Sequence, residues 1–171
     1  MEKELEEILV GKYPIIFEQY GGDVRKTCMG WGMSCGDGWF TLLDDLCGDI
    51  KDIIGKKDIK VVAEQVKEKF GGLRFYHGIN YKPSIFSGFN NWLRSKICAM
   101  GYAKPYWKAV YYRKKVFRTT VEKIDDRIHE AEGLSYKTCE NCGQPGERKP
   151  GGWIQTLCNN CWEDIANGGV D

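Results

Sequence analysis

Four cysteines near the C-terminus have the clearest chemical spacing in this chain. Cys139-x2-Cys142 and Cys158-x2-Cys161 form two pairs separated by 15 residues. A two-residue gap lets one tight turn aim both sulfurs at the same ion, and a second such turn completes a tetrahedron. Gly143, directly after the second cysteine, suits the bend. The intervening QPGERKPGGWIQT is turn-rich at its start and strand-like at its end. The layout is knuckle, hairpin, knuckle, which predicts a zinc ribbon holding one structural Zn²⁺. Four thiolates leave no open coordination position, so the metal serves folding instead of catalysis. Free thiols, two disulfides or a thioredoxin-like redox pair are the competing readings. No βαβ pattern surrounds either pair, which disfavours the last.

The other cysteines are Cys28, Cys35, Cys47 and Cys98. Their spacings match no common site. Cys47 lies on an apolar helical stripe and reads as core. A second metal held by Cys28, Cys35 and His77 is a minor alternative.

Catalytic signals are thin. His77 and His129 are the two histidines. His129 reads as a surface residue, and a general-base role for His77 has little around it. Asp37, Asp44 and Asp45 could gather Mg²⁺, but Asp44 and Asp45 fall on the solvent face of a helix. Glu64, Lys67 and Glu68 have the wrong spacing for a metal nuclease. Gly71-Gly72 lacks the Lys-Ser/Thr of a phosphate loop. The sequence leans away from an enzyme.

A second signal is electrostatic. The chain has 171 residues and a net charge of +1, but the charge is segregated. Residues 1–52 carry −6, residues 53–80 carry +3, residues 81–121 carry +9 with no acid, and residues 122–171 carry −5. The bases of the third stretch are Lys82, Arg94, Lys96, Lys104, Lys108, Arg113, Lys114, Lys115 and Arg118. Ten aromatics are interleaved, among them Trp92, Tyr106, Trp107 and Tyr112. Cations neutralise phosphates and aromatic faces stack on bases. This block predicts a surface for nucleic acid or a nucleotide, with those four aromatics as stacking residues. The competing reading is that the aromatics are core and the bases pair with the acidic flanks.

The elements that position these residues follow from periodicity. Glu2–Val10 predicts a short helix with Leu5, Ile8 and Leu9 inward. Pro14 permits a helical turn that ends at Gly21-Gly22. Residues 28–38 read as an irregular loop rich in glycine. Trp39–Ile54 predicts a helix capped by Asp37. Its buried stripe is Phe40, Leu43, Leu46, Cys47, Ile50 and Ile54, with Asp44, Asp45, Asp49 and Asp52 facing solvent. Residues 60–69 and 73–79 predict two strands joined at Phe70-Gly71-Gly72. Val62, Val66 and Phe70 are expected on one face, with Leu73 and Phe75 opposite. Ser84–Met100 predicts a basic amphipathic helix, Pro105 breaks the pattern, and Tyr106–Phe117 is strand-like but undecided. A further helix is expected to begin at Thr119 or Thr120, to bury Val121, Ile124, Ile128 and Ala131, and to close at Gly133. The class is α+β: helices, a central β-hairpin and a C-terminal zinc ribbon packed on a connecting helix. The body spans 1–132 with its basic aromatic segment at 81–121, and the ribbon spans 133–171, the two forming one compact unit.

Composition excludes several classes. Apolar residues make up 42% and aromatics 13%, which argues against disorder. No run approaches the ~18 apolar residues of a spanning helix, so no integral membrane association is expected. MEKELEEILVGK is acidic and lacks a cleavable apolar core, so it is not a secretory signal. A cytoplasmic protein with reduced cysteines is expected.

Four stretches resemble a family of small phage and prophage proteins whose motifs carry no assigned chemistry. They are WGMSCGDGWFTLLDDLC (31–47), QVKEKFGGLRFY (65–76), AEGLSYKTCENCGQPG (131–146) and GGWIQTLCNNC (151–161). The resemblance covers roughly half the chain, in order. It implies a zinc-ribbon C-terminus with Cys139, Cys142, Cys158 and Cys161 as ligands, and a phage origin, hence the cytoplasm of an infected or lysogenic bacterial host. Residues 78–120 depart from it, being longer here than in the family pattern. The leading expectation is a non-catalytic accessory protein that binds nucleic acid or another phosphate-bearing ligand. The alternative is a counter-defence protein that inhibits a host immune protein or sequesters a nucleotide signal. A third reading, membrane-surface association through residues 84–100, rests on a modest apolar face.

Overall fold

A computed structural model describes residues 1–81 and 103–168, with backbone only at 81 and 103–114. The expected helix at 84–100 lies outside the described residues, as do Lys82, Trp92, Arg94, Lys96 and Cys98. The chain is α+β. Helix α1 (Lys3–Lys12) leads through two short 3₁₀ turns, Cys28–Trp31 and Asp37–Trp39, into α2 (Phe40–Ile54). Strands β1 (Ile59–Lys69) and β2 (Gly72–Tyr81) form an antiparallel hairpin. Helix α3 (Ala103–Ser135) follows, then the small hairpin β3 (Glu147–Lys149) and β4 (Gln155–Leu157), then α4 (Asn159–Ala166).

The core lies between α2, α3 and the inner face of the hairpin. The predicted stripe on α2 buries Leu43, Leu46, Cys47 and Ile50, while α3 contributes Ile124, Ile128 and Ala131. Val61, Ala63, Val66, Leu73 and Phe75 cover them from the sheet, and Leu9, Tyr13, Ile16 and Phe17 close the N-terminal side. Burying each of the Val, Leu, Ile and Phe side chains among them contributes about 1.5–3 kcal/mol. Cys47 is fully buried, and burial pushes its thiol up, as befits a core residue.

The phase of β1 differs from the expectation. Register slips between Ala63 and Gln65, so Glu64 is an extra residue. A bulge of this kind inverts which residues face inward. Val61 and Ala63 point to the core before it and Val66 after it, so Val62 and Val66 do not share a face. Phe70 belongs to neither face. It sits in the turn with φ 55°, followed by Gly71 with φ 76°, and is exposed. Two successive positive φ angles between the paired Lys69 and Gly72 make the primed two-residue turn that matches strand twist.

The region after Pro105 is corrected more substantially. It is not a strand followed by a new helix but one helix of 33 residues. Pro105 falls in its first turn, where backbone N–H groups have no intrahelical partner and proline costs little. Thr119 and Thr120 do not cap. Their hydroxyls donate back to the Lys115 and Val116 carbonyls at 3.1 and 2.7 Å. Gly133 does not close the helix, which continues to Ser135.

Smaller corrections concern the acids and α1. Ile8 is exposed, and Glu6 takes the inward position beside Leu9. There Glu6 accepts from Met33 N–H at 2.6 Å and from Tyr20 Oη at 2.8 Å. Asp37 does not cap α2; its carboxylate accepts the Glu2 N–H at 2.6 Å, at the head of α1. Asp44 and Asp49 lie on the outer face of α2 as expected, but they are not free: they pair with Lys12 and Arg127.

Parts of both edges of the large hairpin are covered, which shortens the open strand edges. On β2, Leu73 N–H donates to Ser135 Oγ at 2.8 Å and Phe75 N–H to Glu132 Oε1 at 3.1 Å. On β1, Ser34 bridges the Val66 carbonyl and the Glu68 N–H at 3.0 and 2.8 Å. Among the described residues, no helix is long and apolar enough to cross a membrane.

Candidate metal centre

The first cysteine pair sits on a turn built by its own backbone. Cys139 N–H donates to the Gln144 carbonyl at 2.7 Å, and Gly143 N–H returns to the Cys139 carbonyl at 2.9 Å. Gly143 has φ 75°, which a residue with a side chain adopts at a cost. The second pair is set by α4. Cys158 is its N-cap, and its sulfur accepts the Cys161 N–H at 3.4 Å. The short β3–β4 hairpin, paired Glu147 to Leu157, brings the two turns together.

The result is one group in which all four sulfurs lie within 4.8 Å of one another. Cys142 Sγ and Cys158 Sγ are 3.6 Å apart. A tetrahedral ion with metal–sulfur bonds of ~2.3 Å requires sulfur separations of ~3.8 Å. The donor set therefore fits a single metal ion in a closed all-sulfur site. Cys139 is buried, Cys158 and Cys161 are half-buried and Cys142 is exposed. The Cys158 thiol is drawn down to about 7, foremost by the Cys161 N–H aimed at its sulfur. Burial pushes the Cys161 thiol up. A cation at the centre favours the thiolate form of all four.

The centre is held against the body by the loop Cys35-Gly36-Asp37-Gly38-Trp39. Gly38 N–H donates to the Glu140 carbonyl at 2.7 Å, and Trp39 Nε1–H to the Thr138 carbonyl at 2.9 Å. Gly36 N–H donates to Glu140 Oε1 at 3.0 Å. The glycines are required by approach. A Cβ on Gly38 would lie 2.2 Å from the Cys139 carbonyl oxygen and 2.4 Å from Gly143 N, and one on Gly36 would lie 2.3 Å from the Glu140 carbonyl oxygen. Trp39 is fully buried. Glu140 is buried too, and desolvation raises its carboxyl pKa. The tip of the large hairpin supplies a second anchor, where Thr156 Oγ1 donates to the Gly71 carbonyl at 2.5 Å.

Tyr136 makes a third joint. Gly72 passes so close that a Cβ there would lie 2.4 Å from the tyrosine ring. The Tyr136 hydroxyl accepts from Arg74 at 2.7 Å, and the guanidiniums of Arg74 and Arg148 lie 5.7 and 5.4 Å from its ring centroid.

The other predicted site residues do not form a comparable group. Cys28 is exposed and Cys35 buried, its thiol pushed up to about 12 by burial. His77 faces Asp125 at 3.2 Å. Among the described residues, the metal-holding group is the C-terminal four, so Cys28, Cys35 and His77 are not brought together. Asp37, Asp44 and Asp45 are likewise not gathered. Of the basic segment, Lys115 and Arg118 are exposed, and Arg118 pairs with Glu122 at 3.4 Å. Tyr106, Trp107, Lys108, Tyr112, Arg113 and Lys114 lie on the backbone of α3, and their side chains are outside the described residues.

Sequence reasoning missed Gly36, Gly38 and Trp39 as the support of the centre. The available signal was two glycines flanking one residue immediately before a tryptophan. Compared with known proteins, the chain has no significant match to any family model, any curated protein or any solved structure.

Proposed function

We propose that this chain is a zinc-stabilised, non-catalytic binding protein that engages nucleic acid or another phosphate-bearing ligand through its basic segment. Zinc is the choice among metals because a closed tetrahedral set of four thiolates suits that ion. The site has no vacant coordination position for water, which favours a structural role.

The observation that carries the ligand reading is the stretch from 81 to 121, with nine bases and no acid. The continuous helix at Ala103–Ser135 adds a spatial argument. At 100° per residue, positions 104, 108, 115 and 118 fall within a sector of about 80°, and all four are Lys or Arg. The same helix changes character toward its C-terminal part. Ile124, Ile128 and Ala131 are core there, and Glu122, Asp125, Asp126 and Glu130 share that half. The helix thus joins a packed half to a half of one charge sign, the pattern of an electrostatic arm. The resemblance of four stretches to small phage proteins, read from the sequence alone, extends the proposal to a phage accessory protein acting in the bacterial cytoplasm.

Fluorescence anisotropy with labelled oligonucleotides tests the reading. Affinity is expected to fall steeply between about 50 and 200 mM salt. Replacing Lys108, Lys115 and Arg118 together by Glu is expected to abolish it. Binding that is indifferent to salt and to this triple replacement would overturn the reading.

A further inference from the structure

The outer face of the large hairpin combines basic and aromatic side chains. Past the bulge, Lys67 and Lys69 on β1 face outward, and Arg74 and Tyr76 on β2 do the same. Lys67 Nζ lies 5.3 Å from the Tyr76 ring centroid, and Lys69 Nζ lies 5.4 Å from that of Phe70. Arg148 reaches the same region from the small hairpin, through its contact with Tyr136. The turns of the two hairpins adjoin, since a Cβ on Gly71 would meet Ile154 and Gln155 at 3.3–3.4 Å. One turn carries Phe70, 60% exposed, and the other carries Trp153, 72% exposed.

Phe70 is the informative residue. Among the described residues it alone is a non-glycine with positive φ. Such a turn position normally takes Asn, Asp or Gly, and a bulky side chain there is strained. An exposed ring gains little packing in return. The residue therefore works against folding at a place where folding does not need it, as residues retained for binding do.

The charges nearby favour an anionic partner. Among the described residues no carboxylate lies within ion-pair distance of Lys67, Lys69 or Arg148. The neighbouring acids are already engaged. Glu147 pairs with Lys149 at 2.8 Å, Glu132 accepts the Phe75 N–H and lies 4.0 Å from Arg74, and Glu68 accepts the Gly71 N–H. Glu64, at the bulge, lies over Gly78, farther along the strand.

From this juxtaposition we infer that the paired hairpin tips are a second nucleic-acid contact, specific for single strands. Phe70, Tyr76 and Trp153 stack on unpaired bases, and Lys67, Lys69 and Arg148 neutralise phosphates. Projecting rings, Phe70 and Trp153 at the turns and Tyr76 along β2, find base faces only where bases are not already stacked in a duplex. The inference rests on the ligand class proposed above but on different residues, since none of these six lies in 81–121.

The test measures binding of a labelled oligothymidylate and of a DNA duplex, at several salt concentrations and alongside thermal unfolding, for zinc-loaded wild type, Phe70→Asn, Trp153→Ala, the joint Ala variant of Lys67, Lys69 and Arg148, and the triple Glu variant of the basic segment. Phe70→Asn is expected to weaken single-strand binding about fivefold or more while leaving Tm unchanged or raised. Trp153→Ala is expected to weaken it by a similar factor with little change in Tm. Joint replacement of Lys67, Lys69 and Arg148 by Ala is expected to flatten the salt slope by about two. If both aromatic variants bind as wild type while the segment variant loses affinity, this second contact is overturned and the basic segment stands alone. Equal affinity for duplex and single strand would also overturn it. Wild type that binds neither probe would overturn both readings.

Discussion

Replacing Gly38 by Ala tests the joint between the body and the metal centre. The added methyl would lie 2.2 Å from the Cys139 carbonyl oxygen, 2.4 Å from Gly143 N and 2.7 Å from Cys142 N. All three are backbone atoms of the turn that presents two metal ligands, so no flexible side chain can swing aside. The loop must retreat. Overpacking of this kind costs about 1–3 kcal/mol. Retreat also strains the Gly38 N–H to Glu140 carbonyl bond of 2.7 Å, whose net contribution is about 0.5–1.5 kcal/mol. Together they predict a loss near 3 kcal/mol, or roughly 6–12 °C in Tm for a chain of this size. The displacement acts on ligand-bearing backbone, so faster metal release to a chelator is expected as well. Gly133→Ala is the matched control. It lies inside α3 with nothing within 4 Å of the added methyl, and helix propensity predicts stabilisation of about 0.5–1 kcal/mol. Differential scanning calorimetry and chelator competition on both variants decide the matter. A Gly38→Ala protein with wild-type Tm and wild-type metal retention would refute the claim that this loop is wedged against the knuckle.

Other perturbations probe separate links. Thr156→Val removes the donor to the buried Gly71 carbonyl and leaves that oxygen unpaired. A loss of about 1–3 kcal/mol is expected in urea unfolding, and no loss would show that the hairpin tip is not anchored there. Asp44 is held below its usual pKa, foremost by the Lys12 ammonium and against the effect of burial. The unfolded chain therefore binds the proton more readily. The contribution of this group is present above a pH of about 4 and disappears as pH falls through the lower, folded value. Asp44→Asn is expected to be less stable than wild type at neutral pH, with the difference shrinking as pH falls below about 4. Parallel stability profiles for the two proteins across that range would contradict this.

The relation between sequence and structure differs from one element to another. The four-cysteine group and α2 were legible because each is a local pattern: a fixed cysteine spacing in one case, an uninterrupted 3.6-residue stripe in the other. The location of the large hairpin was legible from its two glycines, but its facing was not. One extra residue, Glu64, inverts the alternation, and a bulge leaves no mark on hydrophobicity. Helix α3 was hidden because Tyr106–Phe117 is rich in aromatic and β-branched residues, whose intrinsic preference leans to strand. Membership in a longer helix, anchored by Ile124, Ile128 and Ala131, overrides that preference. The support of the metal centre was hidden for another reason. Gly36 and Gly38 read as part of an irregular loop leading into a helix, whereas their role is close approach to a backbone about a hundred residues away in sequence. Long-range contact of that kind has no local signature.

The central claim is that one ion, gripped by Cys139, Cys142, Cys158 and Cys161, locks the C-terminal ribbon against the body. Native mass spectrometry coupled to thermal unfolding, during titration with a metal chelator, measures it directly. The account predicts one bound metal ion per chain in the native protein and a fall in Tm that tracks its removal, reversed when zinc is returned. A fully folded, metal-free protein with the same Tm as the purified form would contradict it.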